Sequence, residues 1–230
     1  MPTAAIVPAA GRGVRLGPGD PKALRTVAGQ PLLVHAVRGL WHSGQVDLVV
    51  VAAPPGQAPA VHDLLSAAVE DLAVTVVEGG ASRQQSVALA LAALPAEPDV
   101  VLVHDAARAF TPSDVTRRVV QAVRAGAAAV VPVVPVADTV KQVSDDGTVE
   151  RTVDRSRLRA VQTPQGFRRD VLERAHAGAT AAATDDAALA ESLGEPVTVV
   201  AGSDEAFKVT RPLDLLTAEA LLRHRDQGSA

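Results

Sequence analysis

A short glycine-rich stretch flanked by cations is the part of this chain best suited to binding phosphate. It follows the apolar residues 5–7, which we expect to form a buried strand. The small residues 9–13 (Ala-Ala-Gly-Arg-Gly) leave backbone N–H groups free to face a polyphosphate. Arg15 and Lys22 add positive charge at the two ends of the loop. The pattern favours a nucleotide site, and the alternative interpretation is an ordinary strand-to-helix turn.

The spacing of the glycines argues against two common phosphate-binding loops. Gly11 and Gly13 do not belong to a Gly-x-x-x-x-Gly-Lys-Ser/Thr motif, so the loop is not that of a P-loop ATPase. The third glycine of a dinucleotide fingerprint would fall at Leu16, and Gly17 comes one residue late. A dehydrogenase is therefore disfavoured.

A second polar group, His104 to Arg108, follows the apolar run 100–103 directly. An aspartate at the carboxyl end of a parallel strand is well placed to hold a Mg²⁺ ion that bridges phosphates, which makes Asp105 a candidate metal ligand. The alternatives are a turn-capping role for Asp105 and a solvated surface charge for Arg108.

Two further segments carry groups that could bind an anion. The motif Gly79 to Ser86 begins a helix, whose free N–H groups and Ser86 hydroxyl could contact a base edge or an anion, unless it is a plain turn and helix cap. Lys208 lies in the apolar-flanked run 207–210, which we expect to be a strand. A buried ammonium needs an anion or a solvated cleft, and an exposed edge strand is the alternative. The remaining polar candidates are Thr139, Arg155, Thr163 and Thr184.

The elements that must position these residues alternate regularly between strands and helices. Strands are expected at 46–52, 74–77, 100–103 and 128–134, and helices at 31–42, 60–69, 82–94 and 112–124. Ser82 is the expected N-cap of the third helix, and Thr111 or Ser113 that of the fourth. This alternation predicts an α/β fold with a mostly parallel sheet between two helical layers, with ligands beyond the carboxyl ends of the strands.

The alternation breaks at Ala137 and is followed by the strongest hairpin signal of the chain, Asp146-Gly147. Strands near 139–143 and 148–153 would form an arm over residues 138–155. Because an isolated two-stranded ribbon is marginally stable in water, we expect this arm to pack on a second subunit; folding back on its own domain is the alternative. After the arm we expect a strand at 158–162, helices at 169–177 and 186–193, a strand at 197–200 and a helix from 212 to about 224.

Composition limits the possible classes of protein. We expect the 230 residues to form one domain, 1–230, and the 47% hydrophobic and 2% aromatic content suits Ala-rich helices on Val-rich strands. The net charge of −4 argues against a nucleic-acid partner. The chain has no cysteine, which excludes disulfides and thiolate metal sites. Without a signal segment or a membrane-length apolar window, a soluble cytoplasmic protein with no membrane partner is expected.

Taken in order, the motifs resemble the 2-C-methyl-D-erythritol 4-phosphate cytidylyltransferase family, which uses CTP in the non-mevalonate isoprenoid pathway. The resemblance covers nearly the whole chain. It is carried by Pro8-Ala9-Ala10-Gly11-x-Gly13-x-Arg15-Leu16, Pro21-Lys22, Gly79-Gly80-x-x-Arg83-x-x-Ser86-Val87, Val103-His104-Asp105-Ala106-Ala107-Arg108, Asp138-Thr139-x-Lys141, Thr152-Val153-Asp154-Arg155, Gln162-Thr163-Pro164-Gln165, Thr184-Asp185-Asp186 and Lys208-Val209-Thr210. It implies a Rossmann-like nucleotidyltransferase domain, a Mg²⁺ cofactor and a homodimer formed through the hairpin arm.

The resemblance also implies which residues would contact CTP. The substrate-binding positions on this side are Ala9, Ala10, Gly11, Gly80, Ser86 and Ala106, with Arg15 and Lys22 as catalytic cations and Asp105 as the contact to Mg²⁺ and substrate. Some members carry Asp where Ala81 stands here, so selection of cytosine would rest on backbone carbonyls and Ser86.

The remaining family positions would surround the second substrate, methylerythritol phosphate. Arg155 and Lys208 would position its phosphate, Thr139 and Arg108 would reach it from the other subunit through the arm, and Thr163 and Thr184 would lie around it. Two alternatives stay open: a cytidylyltransferase for another polyol phosphate such as ribitol 5-phosphate, and a non-catalytic nucleotide-binding regulatory module. The second is disfavoured because a mere binder need not keep the set Arg15, Lys22, Asp105 and Lys208.

Overall fold

An eight-stranded mixed sheet forms the centre of the computed structural model, which describes residues 2–179 and 181–228. The strands are β1 Thr3–Pro8, β2 Thr26–Val27, β3 Gln30–Pro31, β4 Leu48–Ala53, β5 Ala73–Glu78, β6 Val100–Val103, β7 Ala129–Pro135, β8 Val140–Val143, β9 Val149–Val153, β10 Arg159–Val161, β11 Gln165–Arg168 and β12 Val197–Ala201. The main sheet runs β10-β7-β11-β6-β1-β4-β5, and β12 also pairs with β7. Strands β5, β4, β1 and β6 are parallel neighbours, as the alternation predicts.

Helices cover both faces of this sheet. They are α1 Leu32–His42, α2 Ala58–Ala68, α3 Arg83–Ala92, α4 Ser113–Arg124, α5 Arg169–Ala177, α6 Asp186–Ser192 and α7 Pro212–Gly228. Along β1, Ala5 and Val7 face a core built with α1, α2 and α4, whereas Ala4 and Ile6 face one built with α3, α5 and α6. Because successive strand residues point to opposite faces, a continuous apolar strand fills both cores. The predicted three-layer α/β/α fold is confirmed.

Strand β11 is the main element that the sequence did not predict. It lies between β6 and β7 and is antiparallel to both, which makes the sheet mixed. The strand is four residues long and contains Gly166, so its sequence carries little strand signal. The glycine is required by packing, because a Cβ there would lie 2.5 Å from Cγ1 of Val119 in α4.

The helix caps agree with the sequence in one case and differ in another. Ser82 caps α3 as predicted, with its hydroxyl accepting from the N–H of Gln85 at 3.0 Å. The prediction of Thr111 or Ser113 as cap of α4 is wrong, because Pro112 occupies the N-cap position and offers no side-chain oxygen. The Thr111 hydroxyl instead donates to the carbonyl of Arg108 at 3.0 Å.

The predicted hairpin is confirmed as a separate two-stranded sheet made of β8 and β9. Gly147 takes the left-handed conformation of its turn, with φ of 84°, and its N–H donates to the carbonyl of Ser144 at 3.0 Å. The cross-strand pair Val143 and Val149 is more than half exposed. Packing of this arm on a second subunit stays a prediction.

The segment around Lys208 is not a strand, so that prediction is wrong. A backbone hydrogen bond from the N–H of Val209 to the carbonyl of Ala107, at 2.8 Å, joins this segment to the loop after β6. Phe207 stacks on Phe110, with the ring centroids 6.4 Å apart, and this packing holds the segment against the loop that follows β6. The apolar residues around Lys208 thus serve tertiary packing rather than a sheet.

The single tryptophan of the chain, Trp41, is half-buried on α1 and packs against the core that α1, α2 and α4 share. Among the described residues, no helix has both the length and the hydrophobicity that crossing a bilayer requires.

Candidate active site

A cavity of about 400 Å³ opens where the parallel strands end. The loops that follow β1, β5 and β6 form its walls, and Lys22 and Lys208 lie at its edge. Its lining residues are Pro8 to Arg15, Lys22, Ala23, Gly80 to Arg83, Ser86, Asp105 to Ala107 and Lys208. This is the place where ligands bind in open α/β sheets.

The loop after β1 is shaped by close backbone approaches. The N–H of Ala9 donates to the carbonyl of Ala52 at 2.8 Å, and the N–H of Lys22 donates to the carbonyl of Gly11 at 3.2 Å. Gly13 has a φ of 67°, and a Cβ there would lie 2.5 Å from Cβ of Lys22. A Cβ at Gly11 would meet nothing within 4 Å, so the backbone at Gly11 faces open space. Both features suit a backbone cradle for phosphate.

The opposite wall is a second glycine turn held by the Ser86 hydroxyl. This hydroxyl accepts from the N–H of Gly80 at 3.1 Å and donates to the carbonyl of Ser82 at 2.8 Å. The N–H of Ala81 is bound by the side chain of Gln85 at 2.8 Å. Ser86 therefore orders the turn itself, and its contact with a base stays a prediction.

Asp105 is the single carboxylate among the described residues that line the cavity, and both of its oxygens are paired. Oδ1 accepts from Nε of Arg83 at 3.1 Å, and Oδ2 lies 2.6 Å from Nζ of Lys208. Although burial favours the neutral acid, Arg83 and Lys208 hold the pKa of Asp105 well below its usual value. Asp105 is therefore anionic throughout the physiological pH range.

The cavity carries an excess of positive charge. In the part of the chain that the structure describes, the lining contains Arg12, Arg15, Lys22, Arg83 and Lys208 against the one carboxylate Asp105. Burial, followed by repulsion from Lys208 and Arg15, lowers the pKa of Lys22 to about 8, despite the nearby Asp105. The protonated form of such a lysine is stabilised when an anionic ligand binds beside it.

Arg83 is a cavity residue to which the sequence assigned no role. It is the first residue of α3 and bridges Asp105 and Asp186, with Nη1 at 2.6 Å from Asp186. Although burial opposes its charge, Asp186 and Asp105 raise the pKa of Arg83. The signal available in the sequence was its place in the Gly-Gly-x-x-Arg motif, but the partner carboxylate lies 103 residues further along the chain.

The structure brings most of the predicted site residues together in the cavity. Those in its lining are Ala9, Ala10, Gly11, Arg15, Lys22, Gly80, Ser86, Asp105, Ala106 and Lys208. Those outside its lining are Arg108, Thr139, Arg155, Thr163 and Thr184. Within this second set, the residues Thr139, Arg155 and Thr184 are exposed.

Thr163 and Arg108 support the loop that carries Asp105. The buried Thr163 hydroxyl accepts from the N–H of Asp105 at 3.0 Å and lies 3.0 Å from Nδ1 of His104. Burial, with a further contribution from Arg108, lowers the pKa of His104 to about 4, so the ring is neutral at physiological pH. Arg108 donates to the carbonyls of Ala206 at 2.7 Å and Val161 at 3.0 Å. It therefore lies on the body of the domain and outside the arm.

The carboxylate that the cavity offers suits Mg²⁺ held partly by substrate phosphates better than a metal ion held by protein side chains alone. Within residues 2–179 and 181–228, no group of three or more His, Cys, Asp or Glu side chains could hold a metal ion. Mg²⁺ is commonly held by one or two carboxylates together with substrate phosphates and water, and Asp105 could supply the carboxylate. Magnesium binding remains a proposal.

Fold and cavity together define a Rossmann-like α/β protein with a positively charged cavity, suited to a strongly anionic ligand, at the carboxyl edge of its sheet. Comparison with known proteins is more specific. The sequence profile of the family "IspD: 2-C-methyl-D-erythritol 4-phosphate cytidylyltransferase" matches residues 3–224. The chain belongs to this family.

Individual relatives match along nearly their whole length. The enzyme of this name from Saccharopolyspora erythraea is 60% identical, with 96% of this chain and all of the relative covered. The one from Streptomyces avermitilis is 57% identical, with 97% and 92% covered. The crystal structure of the enzyme from Thermus thermophilus superposes with a TM-score of 0.80 at 39% identity, covering 97% of this chain and 100% of that one. The resemblance noted in the sequence is thereby confirmed.

Proposed function

We propose that this protein transfers CMP from CTP to 2-C-methyl-D-erythritol 4-phosphate, giving 4-diphosphocytidyl-2-C-methyl-D-erythritol and pyrophosphate. The observation that carries the proposal is the cavity in which the glycine-lined loop after β1 faces Asp105 and Lys208. Membership of the cytidylyltransferase family supports the identity of both substrates.

The reaction is an in-line displacement at the α-phosphorus of CTP. An oxygen of the methylerythritol phosphate forms the new P–O bond, and the bond from the α-phosphorus to the bridging oxygen of pyrophosphate breaks. A phosphate monoester is already a nucleophile at neutral pH, so the chain needs no general base. The obstacle is repulsion between two anions, which Arg15, Lys22 and Lys208 reduce by placing fixed positive charge in the cavity.

Asp105 would hold Mg²⁺ together with oxygens of the triphosphate. When bound, the ion supplies further charge neutralisation at the reacting phosphates. In the protein alone, Arg83 and Lys208 supply the charge that balances Asp105. The charge of Asp105 is therefore balanced by Arg83 and Lys208 in the free protein and would be balanced in part by Mg²⁺ when the ion is bound.

The polyol phosphate side of the site is proposed to be completed by a second copy of the chain. Thr139 and Arg155 lie at the two ends of the hairpin arm and are exposed, and neither lines the cavity of its own subunit. In the proposed homodimer, the arm would bring these two residues to the cavity of the partner subunit. The cytoplasmic location expected from the sequence stays a prediction.

Pyrophosphate release tests the proposed function directly. Purified protein is assayed with each of CTP, UTP, ATP and GTP, against methylerythritol phosphate and ribitol 5-phosphate in turn, with Mg²⁺ present. Release should be fast for CTP with methylerythritol phosphate. Faster release with ribitol 5-phosphate would favour the alternative cytidylyltransferase, and binding of CTP without release would favour a regulatory module. Because Ala81 leaves no carboxylate beside the base, the CTP to UTP ratio measures how far the backbone and Ser86 select cytosine.

A further inference from the structure

A series of hydrogen-bonded polar side chains connects the cavity to the interior of the protein, from the partly exposed Arg83 to the buried side chains of Asp186 and His176. Arg83 donates from Nε to Asp105 at 3.1 Å and from Nη1 to Asp186 at 2.6 Å. Asp186 is the first residue of α6, and its side chain is 1% exposed. Its second oxygen lies 3.0 Å from Nε2 of His176, in α5. These contacts join helices α3, α5 and α6 to the carboxylate of the cavity.

Arg83 is fixed by two carboxylates that lie on different elements. A guanidinium is planar and directs its donors at fixed angles, so two charged acceptors set both its position and its orientation. Asp186 is itself kept ionised: burial opposes its charge, but hydrogen bonds and charge from His176 and Arg83 lower its pKa. Because a carboxylate only accepts hydrogen bonds, Nε2 of His176 must be the donor in this contact.

Asp105 needs this support when substrates are bound. In the structure its Oδ2 is paired with Lys208, the cation that the family resemblance assigns to the phosphate of the second substrate. Once Lys208 turns to that phosphate, Arg83 is the remaining side chain bound to the Asp105 carboxylate within the described ranges. The orientation of Asp105 during the reaction then depends on Arg83.

We infer that Asp186, held by His176, is a positioning residue for the transfer reaction: it fixes Arg83, and Arg83 in turn holds Asp105 in place. The inference rests on the proposed function and extends it to residues that touch neither substrate. It also gives a role to the second aspartate of the motif Thr184-Asp185-Asp186. The first aspartate, Asp185, has a separate task, because it caps α6 at the N–H of Ala188 and binds Gln165.

The experiment compares Asp186→Asn with the matched control Asp185→Asn, one residue away and identical in chemistry. Asp186→Asn should lower kcat about 10- to 100-fold, the range typical for mutating a residue that supports a metal ligand from outside its ligand shell, here the proposed ligand Asp105 through Arg83. Asp185→Asn should keep kcat close to that of the wild type, because it does not contact Arg83. CTP binding measured by calorimetry should be nearly equal in both variants, since neither side chain lines the cavity.

A double variant tests whether Asp186 acts through Arg83. Arg83→Lys keeps the charge but cannot bridge two carboxylates, and it should lower kcat by itself. Adding Asp186→Asn to Arg83→Lys should then cause little further loss, because residues that act as a unit are not additive. Losses that multiply in the double variant, or a control Asp185→Asn as impaired as Asp186→Asn, would overturn the inference.

Variants of His176 test the same inference if Asp186→Asn does not fold. The amide of His176→Gln can place an N–H near the position of Nε2, whereas His176→Ala cannot, so glutamine should preserve kcat and alanine should lower it. Equal kcat in these two variants would contradict the inference.

A readout without turnover separates the inference from the proposed function. The side-chain N–H resonance of Arg83 should be sharp in wild type and in Asp185→Asn, but broadened by exchange in Asp186→Asn. If wild type releases no pyrophosphate from CTP and methylerythritol phosphate, the proposed function fails, while this resonance still decides whether Asp186 fixes Arg83. An unchanged resonance in Asp186→Asn would overturn the inference.

Discussion

Lys22 and Asp105 both have lowered pKa values, and positive charge contributes to each shift. Burial comes first for Lys22, and repulsion from Lys208 adds to it, whereas Asp105 is kept anionic by Arg83 and Lys208 in spite of its burial. At both positions the surroundings favour the deprotonated form, which is neutral for Lys22 and anionic for Asp105. A cavity with this potential attracts a triphosphate before any specific contact is made.

The Lys22 pKa leads to a prediction about pH. The free protein loses the Lys22 charge as pH rises through about 8, and the charged form is the one that stabilises the transition state. We expect kcat/KM for CTP to fall on the alkaline side of that pH. Lys22→Arg, which stays charged, should lack this fall even if its maximal rate is lower. Initial rates measured across the range for both proteins provide the test, and profiles of identical shape would contradict it.

At the scale of elements, β11 determines how close α4 can lie to the sheet. Gly166 allows the approach of Val119 and of Val123, since a Cβ at position 166 would be 2.5 Å and 3.1 Å from their side chains. A local sequence pattern cannot reveal this, because the requirement comes from α4, far away in the chain. Glycine is thus needed at position 166 for the packing of α4 on the sheet, and not for backbone flexibility.

We therefore expect Gly166→Ala to destabilise the fold by about 1–3 kcal/mol through overpacking. Urea unfolding followed by circular dichroism measures the change. The control is Gly39→Ala in α1, where the nearest atom to a new Cβ would be 3.7 Å away. That variant should be as stable as wild type or gain up to about 1 kcal/mol from helix propensity. A neutral Gly166→Ala would show that α4 can move away at no cost.

The hairpin arm gives a second prediction at this scale. Val143 and Val149 face each other across β8 and β9 and are 55% and 54% exposed, which leaves an apolar pair for a partner subunit to cover. The double variant Val143→Asp/Val149→Asp should shift the protein to monomer in sedimentation velocity. Val199→Asp is the control, since Val199 is 58% exposed but lies on β12. A wild type that sediments as a monomer would refute the proposed role of the arm.

At the scale of the whole molecule, charge is distributed unevenly. The chain has a net charge of −4, yet its cavity gathers five cations around one carboxylate. The rest of the chain is therefore net acidic, so the cavity attracts anions against an acidic background. Selective attraction of this kind acts over roughly a Debye length, about 10 Å at 0.1 M salt.

Added salt should therefore weaken substrate capture. We expect KM for CTP to rise as NaCl is increased from about 0.05 to 0.5 M, because screening reduces the attraction of the cavity. The melting temperature, measured at the same salt concentrations, serves as the control for unfolding. A KM that is constant over this range, with the protein folded, would show that binding depends on contacts rather than on the field of the cavity.

Features that depend on neighbouring residues in the sequence were predictable, whereas features that depend on residues far apart in the chain were not. The strands β1, β4 and β6 were predictable because a continuous apolar run is a local property, and the hairpin because its turn is set by Asp146 and Gly147. The pairing of Arg83 with Asp186 was not, because it joins residues 103 positions apart. The same holds for Lys208, whose segment resembles a strand locally but is held by Phe110.

The position of Trp41 has a practical consequence for spectroscopy. The chain has no tyrosine, so this one indole dominates its near-ultraviolet emission. Trp41 packs beside the core of α1 and does not line the cavity. Its fluorescence is therefore a reporter of folding that nucleotide does not touch directly, and a change in emission on adding CTP would signal a rearrangement of the packing around Trp41.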